Sequence, residues 1–331
     1  MAFAEAVGPR RFLTELPALG GALIIWSLFA ILAGPAFMGA QGAAAYLNAA
    51  APLGIIAVVV SLLMIGGEFD LSVGSTIGLC GMALMLLVGQ AGWPFWAALP
   101  VIFALAGAVG FINGWLVVKT GLPSFLVTLA MLFVGRGLTI AGTRRLAGRT
   151  QLGGLGVRDG SLAHTLFGSD LPGGLHVTTA WWIGLVIIAG WCLQRSRFGN
   201  WVFAVGGHAD AARNAGVPVA RVKITLFMAT AMAAALVALL QAVRYDGADA
   251  LRGEAMEFRA IVAVVIGGTL LTGGYGTVLG AALGALIFGM VQQGIVLTGT
   301  DADWFQVLLG VLLLVAVLAN HSLRKRLLGT A

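Results

Sequence analysis

Charge is what this chain has least of. Only 10% of its 331 residues are Asp, Glu, Lys or Arg, where soluble domains run near about 25%. With 60% hydrophobic residues and a mean hydropathy of +0.99, a water-soluble fold is excluded and a polytopic membrane protein is indicated. No polar segment is long enough to fold as a nucleotide-binding domain. Cysteine is scarce too: Cys80 and Cys192 both fall in apolar runs, which rules out a disulfide framework. The four histidines, His164, His176, His208 and His321, lack ligand spacing, so no metal or other cofactor is expected. The net charge of +6 sits at segment ends and forms no stripe. It reads as membrane orientation and not as nucleic-acid binding.

What the chain does have is apolar runs. They predict an all-α fold of about 8–10 transmembrane helices, with spans near 18–37, 46–65, 70–89, 93–118, 123–141, 179–194, 224–243, 259–271, 276–297 and 303–320. Residues 1–17 read as a cytoplasmic N-terminal segment, 18–320 as one transmembrane domain, and 321–331 as a basic cytoplasmic tail. Placing both termini and the loop after Arg195 in the cytoplasm puts eleven of the nineteen Lys and Arg there. That agrees with the positive-inside rule, although Arg144, Arg145, Arg149 and Arg158 fall on the opposite side.

Two glycine breaks echo each other. Ile65-Gly66-Gly67 closes one apolar run and Ile266-Gly267-Gly268 another, each followed by a run rich in small residues. Broken helices are therefore expected near 66–70 and 267–276, and paired breaks point to a substrate path. Asp70-Leu71-Ser72-Val73-Gly74 follows the first break. Asp70 reads as a cap for the next helix, its carboxylate accepting first-turn amides, or, with Glu68, as part of a gate, since intramembrane carboxylates are costly. Ser72, Gly267 and Gly268 complete the candidate path. The glycine run 267–276 lacks the Lys-Ser/Thr of a phosphate loop and is not one.

The polar island 198–223 separates two apolar runs. HADAARNAG, between Gly207 and Gly216, predicts a short helix, either a docking element for a cytosolic partner or an ordinary solvated loop helix. In the loop before the second break, Glu254, Glu257 and Arg259 read as solvated charges on the outer face, or as a surface that receives a soluble partner through charge pairing.

Together these stretches resemble one family. IGGEFDLSVGS, LPSFLVTLAMLFVGRGLT, FGNWVFAVGGHADAARNAGVPVARVK and MEFRAIVAVVIGGTLLTGG are similar to segments of ribose-type ABC sugar permeases, across nearly the whole chain from about residue 46. Three positions depart from that pattern: Glu68 replaces a glycine, His208 an asparagine and Arg259 an aspartate. The resemblance implies a non-enzymatic importer subunit of the bacterial inner membrane. It works as a dimer with a second copy or a sister permease, and it moves a monosaccharide or related polyol. A periplasmic or surface binding protein delivers the solute. A separate ABC ATPase docks on Gly207, His208, Ala209, Asp210, Ala211, Ala212, Arg213, Asn214 and Gly216. Alternatives are import of another small polar solute, such as a branched amino acid or autoinducer-2, and an ion-coupled secondary transporter, for which only Glu68, Asp70 and Arg136 could form a relay.

Overall fold

The computed structural model describes residues 11–301 and 303–328. Arg10, most of the expected N-terminal segment 1–17 and the last residues of the tail 321–331 lie outside the described residues. The chain is helical nearly throughout, because a segment in lipid must satisfy its own backbone polar groups.

In chain order, α1 (Arg11–Ala33) ends at Gly34 and is followed by the single turn α2 (Pro35–Met38), α3 (Ala40–Ile65) and α4 (Val73–Leu84). A π-helical turn (Met85–Gln90) prolongs α4; α5 (Phe95–Thr120) and α6 (Ser124–Ala147) follow. A connection carries β1 (Gln151–Gly153), α7 (Leu162–Phe167), β2 (Asp170–Leu171) and β3 (Leu175–His176). Then come α8 (Val177–Arg195), α9 (Arg197–Gly207), α10 (Ala209–Asn214) and α11 (Val219–Arg244). Finally β4 (Gly247–Asp249), α12 (Met256–Ile266), α13 (Val278–Leu297) and α14 (Trp304–Leu328) complete the chain.

Among the described residues, eight helices are long and apolar enough to cross a membrane: α1, α3, α4 with its π turn, α5, α6, α8, α11 and α13. The stretch expected as a span at 259–271 is not one. α12 has 11 residues, a rise of about 16 Å, which is roughly half the hydrocarbon core. The helix stops at Ile266 because two glycines follow, and the apolar Thr269-Leu270-Leu271 that mimics a span lies in the turn. The third span likewise starts at Val73 and not at Asp70, whose side chain holds a turn ahead of the helix.

Burial sorts the helices into two shells. The apolar windows of α3 and α11 are each 78% buried, whereas those of α1, α6 and α8 are 22% buried, so α3, α11 and α13, with the largely buried α4, form the centre and α1, α5, α6 and α8 lie outside. Close approach depends on small residues, as expected where lipid supplies no hydrophobic drive. A Cβ on Gly110 of α5 would stand 2.5 Å from the Phe227 carbonyl of α11. One end of the bundle carries α9 and α10. The opposite end carries two antiparallel pairs, β1 with β4 and β2 with β3, and is called the sheet end below.

Candidate functional site

The two breaks are the same structure built twice. Gly66 and Gly267 end their helices at φ −70° and −68°, and Gly67 and Gly268 turn left-handed at +83° and +91°. The Glu68 amide donates to the Leu63 carbonyl at 3.1 Å, and the Thr269 amide to Val264 at 3.2 Å. These reversed-turn caps close each helix with a glycine that needs no Cβ. The breaks also touch: the Gly274 amide donates to the Ile65 carbonyl at 2.8 Å. A Cβ on Gly273 would stand 2.7 Å from the Gly67 Cα.

After the first break, 68–72 rises as a non-helical strap held by side chains of other helices. Ser124 of α6 accepts the Phe69 amide at 3.0 Å, and Thr128 accepts that of Leu71 at 3.0 Å. Asp70 is buried at 2% exposure. One carboxylate oxygen accepts the Ser72 amide at 2.9 Å and the Ser72 hydroxyl at 2.6 Å. The other accepts the Thr230 hydroxyl of α11 at 2.7 Å, and Asn113 of α5 donates to the Ser72 Oγ at 2.7 Å. The expected cap is thereby corrected. Asp70 closes a turn one residue before the helix, at the N-cap Ser72, and it joins α4 to α11 and, through Ser72, to α5. Glu68, also buried, forms an ion pair with Lys223 in the first turns of α11. Gly267 packs against the α13 backbone at Gly280.

The polar island folds into α9 and α10. His208 caps α10, its Nδ1 accepting the Ala211 amide at 3.2 Å. Asp210 pairs with Arg213 at 2.8 Å, and Gly216 ends the element at φ +84°. Ala212 is buried, while Asp210, Arg213 and Asn214 are exposed. α9 seats this element on the breaks: Gly206 lies against Ile65 and Gly274, with no room for a side chain.

The charged stretch that leads into and opens α12 behaves differently from its sequence reading. Glu254 is exposed and meets Arg136 at 3.5 Å, and Arg259 is exposed. Glu257 is not a solvated charge: it is 3% exposed and lies against Gly74 of α4, where a missing side chain admits its carboxylate.

At the sheet end a cavity of about 580 Å³ opens between α3, the β2–β3 hairpin, α11 and α13. Gln41, Asn48, Gln241, Gln292, Gln293 and His176 line it with small residues such as Ala45. Sequence reading passed over it, as over Asn113, Thr128 and Thr230; the available signal was uncharged amides and hydroxyls inside otherwise apolar spans. At the rim Asp170 binds Arg244 at 2.8 Å and His176 at 3.3 Å. Burial, reinforced by the Arg244 charge, holds the His176 imidazole below its ordinary pKa despite Asp170.

A multispan bundle with paired re-entrant breaks and a short polar helix seated on them defines a membrane transport subunit. The chain belongs to the family described as branched-chain amino acid transport system / permease component, whose model matches residues 42–317. It is 32% identical over 281 residues to the autoinducer 2 import system permease protein LsrD of Photorhabdus laumondii, covering 82% of each chain. To the ribose import permease protein RbsC of Escherichia coli K12 it is 32% identical over 269 residues, covering 81% of this chain and 82% of that one. The inner membrane ABC transporter permease protein YjfF of the same strain is 30% identical over 312 residues, covering 92% and 90%. No solved structure matches.

Proposed function

We propose that this chain is the membrane-spanning subunit of an ABC importer for a monosaccharide or related polyol in a bacterial inner membrane. The observation that carries the reading is the junction of α9 with both breaks: Gly206 lies against Ile65 and Gly274, and Lys223, just beyond α10, grips Glu68. A push on α10 from a cytosolic ATPase reaches the breaks through rigid backbone. It reaches Asp70 along α11, which carries both Lys223 and Thr230. In this reading α10, from His208 to Gly216, is the coupling element and its end of the bundle faces the cytoplasm, as do both termini. The strap at Glu68, Asp70 and Ser72 and the turn at Gly267 and Gly268 border the path.

The sheet end then faces outward. A solute-binding protein docks there on a surface that includes Glu254 and Arg259; buried Glu257 cannot meet it. A second copy or a sister permease completes the transporter in the lipid bilayer. The sugar assignment draws on relatives whose names specify ribose and autoinducer 2 import. A self-sufficient ion-coupled carrier is disfavoured because Glu68 is paired, Asp70 is saturated with hydroxyl and amide donors, and Arg136 already meets Glu254.

The test is uptake of labelled sugars by cells carrying this chain with its candidate ATPase and binding protein, and lacking each in turn. Uptake that needs both partners is expected. Uptake by the chain alone that collapses with the proton or sodium gradient would overturn the reading. Within the complex, Asp210→Lys or Gly216→Leu should uncouple ATP hydrolysis from uptake while the subunit stays folded.

A further inference from the structure

The sheet-end cavity lies apart from the breaks and the coupling element, and neither uses it. Its volume of about 580 Å³ is in the range of small-molecule sites, roughly 300–1,000 Å³. Among small and apolar residues, carboxamides from three helices converge on its wall, with Gln41 and Asn48 from α3, Gln241 from α11, and Gln292 and Gln293 from α13. Each carboxamide both donates and accepts hydrogen bonds, which is what a ring of hydroxyls requires of its partners.

Charge argues for the same occupant. No carboxylate lines the cavity, and the one guanidinium that does, Arg244, is already bound by Asp170 at 2.8 Å. The ammonium group of a zwitterionic amino acid would meet only Asp170 at the rim, already engaged by Arg244 and His176, and an anion would have to compete with Asp170. The wall also keeps unspent hydrogen-bonding capacity. Asn48 is committed to the β3 hairpin through Gly174 and His176, but Gln292 and Gln293 have no side-chain hydrogen bond among the described residues, and the Gln241 carbonyl oxygen is buried without a partner. A polar atom buried in that state costs stability unless something satisfies it.

We propose that this cavity is a binding subsite for a neutral polyhydroxylated solute, so that the permease itself holds and selects the sugar before it reaches the breaks. This rests on the import reading and adds a selectivity station to it.

The experiment uses the full chain purified in detergent and, in parallel, reconstituted in proteoliposomes with its ATPase and binding protein. The probes are tritiated D-ribose and D-glucose, with tritiated L-leucine as the zwitterionic control. The isolated chain should bind at least one sugar and not leucine. Gln292→Leu with Gln293→Leu should weaken that binding roughly tenfold or more, as expected for the loss of two or more hydrogen bonds. Ala45→Trp, which fills the hollow without touching an amide, should abolish it. Asp210→Lys, far away on α10, should leave binding intact while stopping uptake, which separates this site from coupling. Sugar binding that survives all cavity variants, equal binding of leucine, or no sugar binding by the isolated chain would each overturn the subsite. If the reconstituted complex still imports sugar in any of those cases, the import reading survives alone; if wild-type complex imports none of the sugars, both fall.

Discussion

The two breaks share a backbone and differ in what holds it. After Gly67 the chain continues through Glu68, Asp70 and Ser72, and side chains from α5, α6 and α11 reach in to fasten it. After Gly268 the turn is fastened by backbone and glycine: Gly273 lies on Gly67, Gly274 on the backbone at Gly206 and Gly207, and Gly276 on Thr269. The first break is locked by directional polar contacts, which are strong in a dry interior and costly when half-made. The second is locked by close packing, which tolerates polar change and rejects added volume. The same backbone turn is thus secured once by polar side chains and once by packing.

Four experiments would break or sharpen that contrast. The largest effect is expected where the breaks meet. In Gly206→Val the new side chain would overlap the Ile65 carbonyl and the Gly274 amide, and most of the protein should be lost from the monodisperse peak in size exclusion. Recovery near the wild-type level would mean that the junction is loose. Next, Asp70→Leu strands the amide and hydroxyl of Ser72 and leaves the Thr230 hydroxyl only the Phe227 carbonyl, at an expected cost of about 1–3 kcal/mol for each stranded donor. Asp70→Asn, which can still accept, should cost less in the same denaturant titration, and equal losses would remove the polar lock from the argument. Third, a double-mutant cycle on Glu68→Gln and Lys223→Met should give a coupling of about 1–2 kcal/mol; zero coupling would detach α11 from the strap. The smallest effect belongs to Thr269→Val. The Thr269 hydroxyl is buried without a partner, so removing it should change stability by less than about 1 kcal/mol. A large loss there would erase the difference between the breaks.

Local signals made much of this legible in sequence. Apolar runs gave most of the spans, the repeated Ile-Gly-Gly gave the breaks, and HADAARNAG between glycines gave α10, though not His208 as its cap. What stayed hidden needed the third dimension. Asn113, Thr128 and Thr230 sit singly in apolar helices, and nothing near them in sequence announces that they converge on residues 69–72. Residues 259–271 read as a span because the turn after Gly268 is itself apolar. Glu257 read as solvated because only the packing of α12 on Gly74 reveals its burial. The family pattern marked Glu68 as a departure, and Lys223, which explains it, lies in a different part of the chain.

The hydrogen bond from the Gly274 amide to the Ile65 carbonyl also bears on timing. Its partners are separated by about 200 residues, which at roughly 5–20 residues per second means about 10–40 s of synthesis between them. Throughout that interval the first break exists without the turn that will close it, and until residue 230 is made the strap at Asp70 also lacks its hydroxyl partner on α11. A chain released before residue 274 leaves a carbonyl at the end of α3 with its tertiary partner missing, in surroundings where few substitutes exist. The contact between the two breaks is thus among the last long-range links that the growing chain can make.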